Sequence, residues 1–423
     1  MRLLASLALA GLLAACAPSS SSPSTLPDVV APSTSAATSP SSAATPTSIS
    51  APTPVVTPYP APAELARKHA PLCRFSAWVP GMTSIANKSE DYFPASVRGY
   101  LDELASGSAR VITQEADAAA VGVSEMKALP ARPVIHADEI EGAPWGLPGD
   151  EPGAAPLYFH LYGDTQAQVR NPDGSGSDTV YIEYWIFYGQ DASREQLAFG
   201  GPVFDLGGHK GDWEHTTFAI RVDLGAGGSF LSSRIVEGYY SAHDDRYLVD
   251  LADIQLVDDQ GSPDPRGTHP TSFVSVGKHA EYAQGGYWID MFGLLPLVIH
   301  DEFFLGAGFA WSTWQSTLHD LDDRSAIAEF APASFASLLD PALTGAGLTD
   351  WRDYAGTWGD SKSPSLLGKT FPFGDSPGGP WTQSDYGAGP KCSRRWSDTK
   401  LGAQGLTILA VPPVVPPPVP IRK

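Results

Sequence analysis

Residues 207–222 read GGHKGDWEHTTFAIRV, and this stretch decides how the chain is read. Its second half alternates, with Phe218, Ile220 and Val222 set against Thr217, Ala219 and Arg221. A two-residue period is that of a strand with one apolar face. Carried backwards, the phase puts Asp212 and Glu214 on the face of Phe218, Ile220 and Val222, and Trp213 and His215 on the other. The apolar face is the inner one. The two carboxylates therefore stand at the mouth of the core, at the end of a sheet. Like charges that close are costly unless something offsets them. A hard divalent cation, Mg²⁺ or Ca²⁺, does so by taking carboxylate oxygens at short range. Spacing alone leaves a second reading open, a solvated turn over 207–212 with Gly207, Gly208 and Gly211 as its turn residues.

Upstream, residues 179–188 (TVYIEYWIFY) are rich in aromatic and β-branched side chains, as strands are. Asn171-Pro-Asp-Gly-Ser-Gly176 before them is turn chemistry. It has the start of a calcium-binding loop but Ile182 where the closing Glu belongs, so it reads as a hairpin turn. Further strands are expected over 213–222, 230–240 and 272–276. Short helices are expected over 64–70, 96–106 and 325–339, the last broken by Pro332. Glycine (42) and proline (39) are abundant, and long helical patterns are few. Mixed short strands with long loops argue for a mainly β, sandwich-like or jelly-roll-like single domain.

The chain opens with Arg2, an apolar run over 3–13, then Leu13-Ala14-Ala15-Cys16. The run is short for a spanning helix and fits an export signal, residues 1–15. The four residues ending at Cys16 resemble the bacterial lipobox, which implies lipidation of Cys16 and anchoring to a bacterial membrane, facing the periplasm or cell exterior. An ordinary cleaved signal with an incidental Cys16 is the alternative. Residues 16–62 are Ser, Pro, Thr and Ala with almost no charge, which suits a disordered tether. Residues 63–400 then form the folded domain, and 401–423 a Pro-rich extended tail. The formal net charge of −20 argues against nucleic acid and anionic lipid as partners of the bulk surface. Cys73 and Cys392 sit near the ends of the folded region. In an oxidising compartment they are expected to close a disulfide. Two separate thiols remain the alternative, because sequence does not show their distance.

The stretch Gly-His-Lys-Gly-Asp-Trp-Glu-His-Thr, 208–216, resembles the Gly-Asp-Trp-Glu-His motif of the Vps62-related family. Supporting segments are ARKHAPLCRF (66–75), SEDYFPASV (89–97), YIEYWIFY (181–188), YYSAH (239–243), VSVGKHAEY (274–282), WGD (358–360) and SPGGP (376–380), so the resemblance covers roughly 66–396. The same residues are similar to the Gly-His-Arg-His-Asp-Trp-Glu heptapeptide of the necrosis- and ethylene-inducing-like proteins, with Lys210 and Gly211 departing from it. In that group the motif holds a divalent cation on a β-sandwich. The resemblance implies His209, Asp212 and Glu214 as ligands here. Asp191 is a further one, from the strand end Phe187-Tyr-Gly-Gln-Asp191, with a longer spacer to His209 than in that group.

His243 and His279 follow strand-like runs, and either is a candidate general base if it converges on the motif. A lone His is more often structural than catalytic. His215 is expected on the outer face, Trp213 in packing. No Gly-x-Ser-x-Gly, Walker loop, dinucleotide fingerprint or His-Glu-x-x-His occurs in the sequence. Three functions remain: a surface-anchored binding module for a polar ligand such as a glycan or lipid headgroup, a cation-dependent hydrolase, or a cytolysin-like protein. Whether the chain is an enzyme is left open by the sequence.

Overall fold

The strand expected over 179–188 is the middle of a longer one, Gly176–Asp191. It belongs to a computed structural model that describes residues 59–75, 93–106, 112–115, 132–135, 155–191, 194–197, 203–205, 209–242, 245–275, 277–291, 297–303, 309–345, 347–359, 365–366, 369–370, 376–383, 386 and 394–395. Contacts divide the chain into Met1–Pro54 and Val55–Lys423, and every described residue lies in the second unit.

The domain is mainly β and sandwich-like. Its two main sheets are made of β1 (Leu72–Phe75), β2 (Leu157–Arg170), β3 (Gly176–Asp191), β4 (His209–Leu224), β5 (Phe230–Ala242), β6 (Asp245–Asp250), β7 (Leu256–Val257), β8 (His269–Val274), β9 (Glu281–Tyr282), β10 (Phe309–Ser312), β11 (Leu318–Asp320) and β12 (Arg394–Arg395). The central sheet has seven strands in the order β11-β2-β3-β4-β5-β6-β12. Strands β2 to β6 form an antiparallel meander, with β11 and β12 parallel at its edges. The β2–β3 turn is the one read from sequence: Asn171 N–H donates to Ser175 O at 2.7 Å, and Asp173 Oδ1 accepts from Ser175 N–H at 2.9 Å. The second sheet runs β7-β8-β1-β10, with β9 paired to β8. Four more strands, Gly286–Met291, Leu297–Phe303, Arg194–Leu197 and Val203–Asp205, make a separate sheet.

One face of the central sheet, with Ile182, Tyr184, Ile186, Phe218, Ile220 and Val222, packs against Phe75, Phe273, Val274 and Trp311 of the second sheet. Tyr240 Oη ties the layers by donating to Thr271 O at 3.0 Å. The opposite face, on which His215 is expected to lie outward and Trp213 to pack, is covered. Near the site it carries a second core, in which Trp185, Phe187 and Trp213 pack against Trp351, Trp358 and residues of α2 (Val97–Ser106) and α4 (Ala333–Leu338). The cause is legible in α2, whose Val97, Tyr100, Leu101 and Leu104 fall at i, i+3, i+4 and i+7 and are all buried. An amphipathic helix of that pattern needs an apolar partner, and the odd-numbered aromatics of β3 and β4 supply it. Pro332 does break the helix expected over 325–339, leaving α3 (Ile327–Phe330) and α4, for which Pro332 is the N-cap.

α1 (Pro62–His69) buries Leu65, Ala66 and His69. The His69 ring lies against Ser233 Oγ at 2.9 Å and Thr268 O at 3.2 Å. Burial depresses its pKa to about 3, so the ring is neutral. Cys73 is a free, buried thiol in β1, set between Ser272 and Trp311 of the neighbouring strands. Cys392, the partner expected for it, and Cys16 lie outside the described residues.

Candidate functional site at the end of the central sheet

Strands β3 and β4 are paired to their ends, with Tyr188 opposite Asp212, Gln190 opposite Lys210 and Asp191 opposite His209. Strict alternation would send Asp191 and His209 to the face opposite Asp212. Gly211, at φ 64°, lies in the left-handed region and breaks the pleat two residues before the strand end at His209. A Cβ there would meet Trp358 O at 2.3 Å, and a Cβ on Gly359 would meet Lys210 O at 2.1 Å. The two glycines thus let backbone 358–359 cross the motif at close range. Ser376 Oγ adds a hydrogen bond to Gly211 O at 2.9 Å, and Tyr100 Oη one to Trp358 O at 2.9 Å.

Four titratable side chains meet behind this crossing. His209 Nε2 is 3.5 Å from Asp191 Oδ2, and His279 Nδ1 is 3.1 Å from Asp212 Oδ2. His279 is wholly buried, and its ring stacks on Tyr188 at 3.8 Å with 6° between the planes. Its φ of 60° makes it the one non-glycine residue in the left-handed region among the described residues. Such backbone strain persists only where the surroundings hold it. Burial pushes the Asp191 carboxyl up to about 6; the charges of His209, His279 and Lys278 oppose that rise, and that of Asp212 adds to it. The pairing of His279 with Asp212 brings a sequence candidate to the motif from the turn before β9. Glu214 lies half-buried, one step further along the strand face of Asp212. His243 lies outside the described residues. His215 is off the site, stacked on Trp185 at 4.0 Å across the sheet, but buried rather than outward.

Several polar atoms here lack partners. His209 Nδ1, Asp191 Oδ1 and Gln190 Oε1 are buried without a hydrogen-bond partner among the described residues. Each unpaired group of this kind costs about 1–3 kcal/mol, so such atoms point to something bound. The 3.5 Å between His209 and Asp191 is long for a hydrogen bond. Two donors that share a cation at roughly 2.1–2.4 Å stand roughly 3–4 Å apart, which fits it. Among the described residues no three His, Cys, Asp or Glu side chains already stand as a complete ligand group. A cation here would need Asp212 to turn an oxygen inward, or oxygens of a bound molecule to complete its shell.

Deeper along the same seam, Glu281 is fully buried and accepts from Ser272 Oγ at 2.6 Å. Burial raises its carboxyl to about 7, against the opposing effects of Ser272 and His279.

Sequence reading missed two polar groups on the opposite face. His160 sits with Nδ1 3.2 Å from buried Glu183 and Nε2 3.2 Å from Asp322. Its ring is stacked on Tyr386 at 4.2 Å. The available signal was Glu183 itself, a carboxylate inside an otherwise apolar strand, which has to find a partner. The second group, Tyr158, His319 and Glu329, joins strands and a helix that are far apart in sequence and gave no signal. Comparison with family models, with curated proteins and with solved structures finds no match for this chain.

Proposed function

We propose that this chain is an exported, lipid-anchored, Vps62-like binding module. In it a divalent cation, Ca²⁺ or Mg²⁺, held by Asp191, His209 and Asp212, organises a pocket for a polar ligand such as a glycan or lipid headgroup. The observation that carries the reading is the Asp191–His209 pair, whose 3.5 Å is long for a hydrogen bond and each of which has a buried atom without a partner among the described residues. The motif's resemblance to cation-binding β-sandwich proteins supports it independently. Bound there, a cation would supply fixed positive charge that neutralises the facing carboxylates and takes up ligand oxygens. The surrounding residues do the rest: His279 orients Asp212, Tyr188 holds His279, and Gly211 lets the two strand ends converge.

The test is thermal unfolding of metal-free protein, in chelator and in excess Ca²⁺ or Mg²⁺. A cation that binds only the native state adds about 2.7 kcal/mol at one hundred times its Kd. The expected result is a rise in melting temperature that Asp191→Asn or Asp212→Asn abolishes. Superimposed curves for protein verified as metal-free would refute the site.

A cation-dependent hydrolase is the second reading, and one observation favours it. His279 has the build of a positioned base, with a carboxylate on Nδ1, a stacked ring and a strained backbone. Loss of turnover of a panel substrate in His279→Gln, with ligand retention unchanged, would select that reading over simple binding.

A further inference from the structure

On the far side of the sheet, away from the cation cluster, a cleft of about 390 Å³ opens between the first turn of α2 and the edge strand β11. Ser96, Arg98, Gly99, His319 and Glu329 are among its lining residues. This volume is at the small end of the range for ligand sites.

The two ends of the cleft differ in chemistry. At one end, Tyr158 Oη, itself accepting from Val97 N–H at 3.0 Å, donates to Glu329 Oε1 at 2.6 Å and fixes that carboxylate. Glu329 Oε2 is 3.8 Å from His319 Nε2, too far for a hydrogen bond. A single N–H-bearing cation at roughly 2.8 Å from both would bridge them. His319 is also stacked on the Tyr158 ring at 5.7 Å, which sets its orientation. Burial lowers its pKa, partly offset by Glu329, so the ring is available as an acceptor at neutral pH.

The other end carries an ion pair, because Arg98 and Asp102 both line the cleft there. Arg98 carries a guanidinium, and α2 has no acidic residue in its first turn. Ser96 Oγ caps Gly99 N–H at 3.2 Å. Arg98 pairs with Asp102 at 3.6 Å, but both side chains are more than half exposed, and such a pair yields readily to a better anion.

We propose that this cleft binds a small zwitterion, its ammonium bridging Glu329 and His319 and its anionic group on Arg98. The lining sets Arg98 against two carboxylates, Asp102 and Glu329, so a simple anion is disfavoured, and an anionic group is held only where an attached ammonium anchors it and it takes Asp102's place on Arg98. The strongly acidic surface of the chain adds to the rejection of anions. This site requires no metal and stands apart from the cation reading.

The experiment is calorimetric titration of the full chain with O-phosphoethanolamine, in chelator so that the cation cluster is silent. Saturable binding is expected. Phosphocholine, which has the same charges but no ammonium N–H, is expected to bind about tenfold more weakly, as are ethanolamine and inorganic phosphate given singly. Arg98→Ala, at an exposed position, is expected to weaken O-phosphoethanolamine about tenfold with the melting curve unchanged. Glu329→Gln removes the carboxylate, and its melting curve is read alongside because Tyr158 leans on that side chain. Flotation with vesicles of phosphatidylethanolamine against phosphatidylcholine then separates the two sources. Selective capture by the first assigns a lipid headgroup, and binding of the free molecule alone assigns a solute. No saturable heat with O-phosphoethanolamine, equal affinity for phosphocholine, or an unchanged affinity in Arg98→Ala would each overturn the proposal.

Discussion

Gly211 shows how one residue sets the geometry of the site. Its φ of 64° and the 2.3 Å that would separate an added Cβ from Trp358 O leave no other residue at that position without displacement of backbone. Gly211→Ala is expected to cost about 2–4 kcal/mol in denaturant unfolding, and to loosen the Asp191–His209 pair with it. A second residue-scale prediction concerns Glu281. Burial pushes its carboxyl up to about 7 in the folded protein, from an ordinary 4.5. The folded state therefore holds a proton that the unfolded chain has released. The contribution of this group is full below about pH 4.5 and is lost as pH rises towards 7, by about 3 kcal/mol at most. Glu281→Gln keeps an acceptor for Ser272 and removes the titration. The variant is expected to melt higher than the parent at pH 8 and to lose that advantage at pH 4.5. Equal pH dependence in the two proteins would show that Glu281 is not the titrating group.

At the scale of elements, α2 links the two faces of the argument. Its buried stripe of Val97, Tyr100, Leu101 and Leu104 closes the second core, while Arg98 and Gly99 line the cleft. Leu101→Ala is expected to cost about 2–5 kcal/mol through the cavity it leaves, whereas Arg98→Ala should stay within about 0.5 kcal/mol. Chemical denaturation of the two variants measures that contrast. Much of this level could be read in advance. The alternation of 217–222 and the aromatic run of 179–188 gave strands because each carries its own periodicity. The break at Pro332 followed from its missing N–H, and the turn at 171–176 from Asn, Pro, Asp and Gly in their ordinary places. The faces were harder. Trp213 is expected in packing, but nothing local to β4 says what covers it, since its cover comes from Trp351 and Trp358, more than a hundred residues away.

At the scale of the whole molecule, the central sheet is buried on both sides where the site lies, and this lets carboxylates and imidazoles reach the burial that shifts them. None of the described helices is long and apolar enough to cross a membrane. The proposed membrane attachment is the lipid on Cys16, and Cys16→Ser is expected to move the protein from the membrane fraction to the soluble one with its melting curve unchanged. Sequence by itself determined what is local: strand periods, turns, the helix break, and the shared face of Asp212 with Phe218, Ile220 and Val222. Those follow from backbone geometry, in which neighbours in sequence dictate direction. Tertiary structure alone decided that His279 meets Asp212, that Gly211 lets His209 and Asp191 join them, and that Glu329, His319 and Arg98 face one cleft. Such meetings depend on which surfaces pack together, and the burial that perturbs these groups exists only once the layers have closed.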